Sequence, residues 1–146
     1  MKKEIRRLLV GSILAGCALV GGCDKHPPEG SLETRVDKHG EEILASSAKA
    51  EARQWMKEPK HVFFKANAKE VAQFVEEFYQ AGAVRVLIAD IEEHDNTQFG
   101  ESLLVELPQA ADLRAKIFEV GGRADTAFQN DPVSDKGQKY LYYSLD

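Results

Sequence analysis

Between Asn67 and Gly82 the apolar residues Val71, Phe74, Val75, Phe78 and Tyr79 fall at i, i+3, i+4, i+7 and i+8. That spacing puts all five on one face of an α-helix, and a face that wide must be buried against another layer. Asn67 is a good N-cap, with Glu70 three residues on, and Gly82 supplies the stop. Short runs rich in β-branched, aromatic and aliphatic residues stand on either side: His61–Ala66 before the helix, Val84–Ile91 and Glu101–Leu107 after it. Pro108 opens a second helix, with Ala110, Leu113, Ile117 and Val120 inward and Gly121-Gly122 as its expected end. A polar stretch over 123–138 leads to a last strand, Lys139–Leu145.

The order is β-α-β-β-α-β over residues 61–146. It predicts an α+β fold of the two-layer, ferredoxin-like kind, with a four-stranded antiparallel sheet and both helices on one face. Right-handed crossovers would order the strands 4-1-3-2. Upstream, Glu41–Lys57 is Ala-rich and ends in Trp55 and Met56 before Pro59, which predicts an N-terminal helix within a 41–60 segment.

Such a sheet keeps one face free of the two crossover helices. Alternation along strand two places Arg85, Leu87, Ala89 and Ile91 on it, and along strand three Ser102, Leu104 and Glu106. In the outer strands both faces are apolar. The alternatives are Phe63 with His61 and Lys65, or Val62 with Phe64, and Tyr140 with Tyr142, or Leu141 with Tyr143. Arg85, Leu87, Ile91, Leu104, Glu106, Phe63, Tyr140 and Tyr142 are therefore the candidate binding face. So apolar a face calls for a cover. The three candidates are the 41–56 helix folded back with Trp55 upon it, a second copy, or another protein.

Both cysteines lie in the first 23 residues. Lys2, Lys3, Arg6 and Arg7 precede a short apolar run from Leu8 to Val20, the layout of a secretory signal over 1–22. Leu14-Ala15-Gly16-Cys17 and, more loosely, Val20-Gly21-Gly22-Cys23 follow. Here the chain resembles bacterial lipoprotein precursors, whose signature is Leu-Ala/Ser-Gly/Ala-Cys. The resemblance implies a diacylglycerol thioether and an amino-terminal acyl chain, typically palmitate, on one cysteine. A multi-chain anchor of this kind holds a protein to a membrane essentially permanently. Cys23 leaves the longer apolar run and a polar mature start, Asp24-Lys25-His26, so it is preferred to Cys17. Asp24 after Cys23 implies the inner membrane, and Ala18 after Cys17 the outer, on the periplasmic side in either case. Residues 23–40, with Pro27-Pro28 and Gly30, read as a tether. About fifteen residues of it reach at most ~50 Å.

The first 22 residues hold four of the 19 basic and one of the 24 acidic residues, leaving 15 against 23, a net of −8. Phosphate contacts need Lys and Arg, so nucleic acid is not an expected partner. Without cysteine after residue 23, a disulfide or thiolate chemistry has no place in the mature domain. There is no Gly-rich phosphate loop, no HExxH and no GxSxG. The densest polar group is Asp90, Glu92, Glu93, His94, Asp95 and Glu101, whose spacing matches no EF-hand. No metal, cofactor or catalytic set is expected. The reading that remains is a non-enzymatic protein-binding module, similar in size and location to lipid-anchored immunity proteins. Its rivals are a dimeric small-ligand sensor and a metal-dependent hydrolase using the 90–101 carboxylates.

Overall fold

The computed structural model describes residues 32–146, with side chains from Arg35 onward. The signal peptide, Cys17, Cys23 and the tether as far as residue 31 lie outside the described residues. The chain runs α1 (Leu32–Ala45), β1 (Lys49–Glu51), α2 (Ala52–Trp55), β2 (His61–Val62), α3 (Ala68–Ala81), β3 (Arg85–Ala89), β4 (Glu92–His94), β5 (Thr97–Phe99), β6 (Ser102–Glu106), α4 (Ala111–Ala127) and β7 (Tyr140–Ser144). It is a mixed α+β fold on a four-stranded antiparallel sheet. None of the described helices is long and apolar enough to cross a membrane.

The amphipathic stripe forms α3. Asn67 Oδ1 accepts the N–H groups of Lys69 and Glu70 at 2.9 and 3.4 Å, and Gly82, at φ 104°, closes the helix left-handed. Val71, Val75 and Phe78 are at most 1 % exposed. Burying side chains of this size stabilises the fold by roughly 1.5–3 kcal/mol each.

The main sheet is ordered β1-β3-β6-β7, not 4-1-3-2. The strand expected from His61 does not enter it. Only His61 and Val62 are extended, and they pair in parallel with β5 in a second sheet, β2-β5-β4. Aromatic contact draws this segment away: His61 stacks on Trp55 at 4.8 Å and Phe63 tilts against the same indole at 5.2 Å. The vacant side of β3 is taken by Lys49–Glu51, a strand without β-forming residues. The helix expected over 41–57 is therefore divided into the end of α1, β1 and α2. In turn α1 begins inside the expected tether, because Val36, Ile43 and Leu44 make an apolar seam with Gly40 between them.

The polar loop expected over 92–100 is a hairpin. Asp95 and Asn96 lie at φ 50° and 61°, a two-residue turn with both central residues left-handed, which matches the twist of the strands. Asp90, at φ 51°, separates the two sheets. The second helix runs through Gly121-Gly122 to Ala127. Gly121 serves close packing, since a Cβ there would stand 2.8 Å from the Tyr143 hydroxyl.

Two apolar clusters flank the sheet. Val86, Ile88, Leu103, Val105, Leu141 and Tyr143 pack with Trp55 and with residues of α3 and α4. Leu87, Ala89, Leu104 and Tyr140 pack with Ile43 of α1, with Val36, Leu44 and Tyr142 partly buried around them.

Candidate functional site

Strand β7 is an outer strand of the main sheet. Leu107 N–H donates to Lys139 O and Leu145 N–H to Glu101 O, both at 2.8 Å, which fixes the hydrogen-bonding parity. Leu141 and Tyr143 turn their backbone groups toward β6, and Tyr140, Tyr142 and Ser144 turn theirs outward. The side chain of Asn130 stands in for a neighbouring strand at Ser144: its Nδ2 donates to the carbonyl at 3.1 Å and its Oδ1 accepts the N–H at 3.2 Å. Asp37 of α1 accepts the N–H groups of Lys139 and Tyr140 at 2.8 and 3.4 Å. Between these caps, the N–H and C=O of Tyr142 have no partner among the described residues.

A cleft of about 260 Å³ opens beside that gap, between α1, β7 and the loop before β7. Val36, Pro132, Val133, Leu141 and Tyr142 line it, and Val133 is 45 % exposed. The loop wall is firmly held. Arg114 of α4 grips Asp135 with two bonds, at 2.6 and 3.0 Å, and also donates to the carbonyls of Pro108 and Gln138. This pairing keeps the Asp135 carboxyl below its ordinary pKa. Buried Asp125 accepts the N–H of Val133 at 3.3 Å, and its pKa is raised because burial disfavours the carboxylate.

The Tyr142 ring is fixed from behind. Its hydroxyl lies 2.6 Å from Ser102 Oγ, which lies 2.6 Å from Asp90 Oδ2. Two hydroxyls in contact share one bond, so one donates to the other and the second proton goes to the carboxylate. Burial, foremost, raises the Tyr142 pKa. His39 of α1 meets the ring edge-on at 4.9 Å.

The candidate face is distributed as follows. Leu87, Leu104 and Tyr140 lie under α1, which covers them with Ile43. Trp55 packs in the opposite cluster, so the cover is α1 without the tryptophan. Tyr142 reaches the rim of the cleft, and Arg85 and Glu106 pair at the end of the face. Ile91 and Phe63 pack with the α3–α4 cluster instead. For Ile91 the cause is Asp90, whose left-handed backbone interrupts the alternation of faces. The 90–101 carboxylates do not converge: among the described residues no group of three or more His, Cys, Asp or Glu is placed to hold a metal ion. Glu101 nonetheless has a raised pKa, from burial first and then from repulsion by Asp146, Glu92 and Asp90. Alternation along strand three places Ser102 on the candidate face, whereas Asp37 and Asn130 were missed, and no local pattern marks them.

Compared with protein-family models, curated proteins and solved structures, the chain matches none.

Proposed function

We propose that the chain is a lipid-anchored protein of the bacterial envelope that acts by binding another protein, without turnover. The observation that carries this reading is the cleft at β7. It offers apolar walls, an exposed Val133 and, at Tyr142, an N–H and a C=O unpaired among the described residues, on a frame held by Arg114, Asp125 and Asn130. An extended segment of a partner would pair with Tyr142 and place an apolar side chain in the cleft, as in recognition by strand addition. The occupied centre of the sheet face moves the expected contact to its rim. Acidity favours a partner with basic groups, as an immunity-type role would require: residues 32–146 hold 14 basic and 21 acidic residues, a net of −7. The anchor itself rests on the lipoprotein-like motifs ending at Cys17 and Cys23.

The test is a photo-crosslinking residue placed at Val133 of the full chain in bacterial cells. Val84, 54 % exposed and outside the cleft, is the control position. One discrete polypeptide adduct from Val133 and none from Val84 is the expected result. No adduct, or equal labelling from both, would remove the reading. Fractionation of the same cells tests the anchor: Cys23→Ser should release the protein from the membrane, and release by Cys17→Ser instead would move the acceptor to Cys17.

A further inference from the structure

A second cleft, of about 550 Å³, lies between β1, α2 and the β2-β5-β4 sheet, away from the β7 site. Its size is that of a small-molecule pocket. At its floor is Trp55, the chain's one tryptophan, 3 % exposed. The His61 ring lies nearly parallel on the indole, 22° from coplanar. Nδ1 of His61 is 2.7 Å from the Trp55 carbonyl, which only accepts, so Nδ1 carries a proton. In the neutral ring Nε2 then holds the lone pair. Trp55 Nε1–H donates to Gln98 Oε1 at 2.9 Å. That bond fixes the amide, and the Gln98 NH₂ group remains a donor without a partner among the described residues. The side chains of Gln54 and Glu93 also line the cleft with no side-chain partner among the described residues. Lys49 and Glu93 bring one charge of each sign.

We infer that this cleft binds a neutral, polyhydroxylated ligand of mono- or disaccharide size. A phosphate or a polycation would gain from one of the two charges and be repelled by the other. A hydroxyl both donates and accepts. Adjacent hydroxyls therefore satisfy the His61 lone pair, the Glu93 carboxylate and the Gln98 amide together, which neither a pure donor nor a pure acceptor does. The half-buried His61 ring, backed by the buried indole, supplies the flat surface against which the C–H groups of a sugar ring pack. The groups are set in advance: His61 by its stack and carbonyl bond, Gln98 by the indole N–H. Preorganisation of this kind lowers the entropic cost of binding.

Because the chain's one tryptophan is at the cleft, its fluorescence reports occupancy directly. The experiment titrates the full chain with glucose, maltose and N-acetylglucosamine, with glucose 6-phosphate and Zn²⁺ as charged comparisons. A saturable change in Trp55 emission with at least one neutral sugar is expected. His61→Phe keeps an aromatic stack and removes the lone pair, and Gln98→Leu removes the donor. Each should raise Kd at least tenfold. Glu93→Ala, at an exposed position that folding tolerates, should raise it about threefold or more. A flat titration with all three neutral sugars, a response confined to glucose 6-phosphate or Zn²⁺, or an undiminished response in folded His61→Phe and Gln98→Leu would overturn the inference.

Discussion

Arg114 and Asp125 decide at single-residue scale whether the β7 cleft has a firm wall. Asp125 is buried, and its raised pKa means that the fold disfavours its charge. Its contribution to stability is full below the unfolded carboxyl range, near pH 4, and is lost as pH rises through the raised value. Asp125→Asn keeps an acceptor for the Val133 N–H without the charge. At pH 7 it should raise Tm, by roughly 1–3 °C once solvent screening is allowed for. At pH 3 the two proteins should melt alike, and calorimetry at both pH values checks this. Asp135 behaves oppositely. Its lowered pKa adds stability that is present above the unfolded carboxyl range and fades as pH falls through the lowered value. Arg114→Met should cost about 1–3 kcal/mol in urea unfolding at pH 7, because it strips Asp135 and the Gln138 carbonyl of their donor. It should also flatten the acid limb of the stability profile.

At the scale of elements, α1 matters most, because it covers the sheet face that would otherwise be free. It docks through Gly40, where an added Cβ would meet the Tyr140 ring at 2.4 Å, and through the Glu41 carboxylate, which accepts the Tyr140 hydroxyl at 3.0 Å. Gly40→Val should force the helix off this ring at a cost of roughly 1–3 kcal/mol. Hydrogen exchange should then quicken in α1 and leave α3 unchanged. The same element marks the limit of what was legible in sequence. Helix α3 was plain because its apolar face repeats from Val71 to Tyr79, about two and a half turns, and both caps are present. The face of α1 was not, because a glycine occupies the middle of its seam and its partner residue lies about 100 positions away. Strand β1 was hidden for a related reason. Lys-Ala-Glu carries no strand pattern, and its pairing with β3 is a tertiary effect that overrides propensity. Beyond its end, the Tyr79 hydroxyl takes over, accepting the Val86 N–H at 3.1 Å and donating to Glu51 at 2.6 Å.

For the whole molecule, the strands at 85–89 and 102–106 were legible from alternation, the strand at 140–144 from its aromatic and aliphatic run, and the antiparallel α+β class with them. The strand order was not, since aromatic stacking of His61 and Phe63 on Trp55 outweighs the strand propensity of that run. Of the site, Tyr142 was legible only as one of two alternatives for the aromatic residues on the candidate face. Its setting was not: the caps are hydrogen bonds from the side chains of Asp37 and Asn130 to the backbone of other segments, which no local spacing encodes. What the assembled fold presents among the described residues is a sheet covered on both faces, with an unpaired backbone position at Tyr142 on its β7 edge. The amide exchange rate of Tyr142 tests that most directly. In the free protein it should exchange far faster than the amides of Leu141 and Tyr143, and it should become protected when the polypeptide captured at Val133 is added. A Tyr142 amide already as slow as its neighbours in the free protein, or one that stays fast in the complex, would contradict the account.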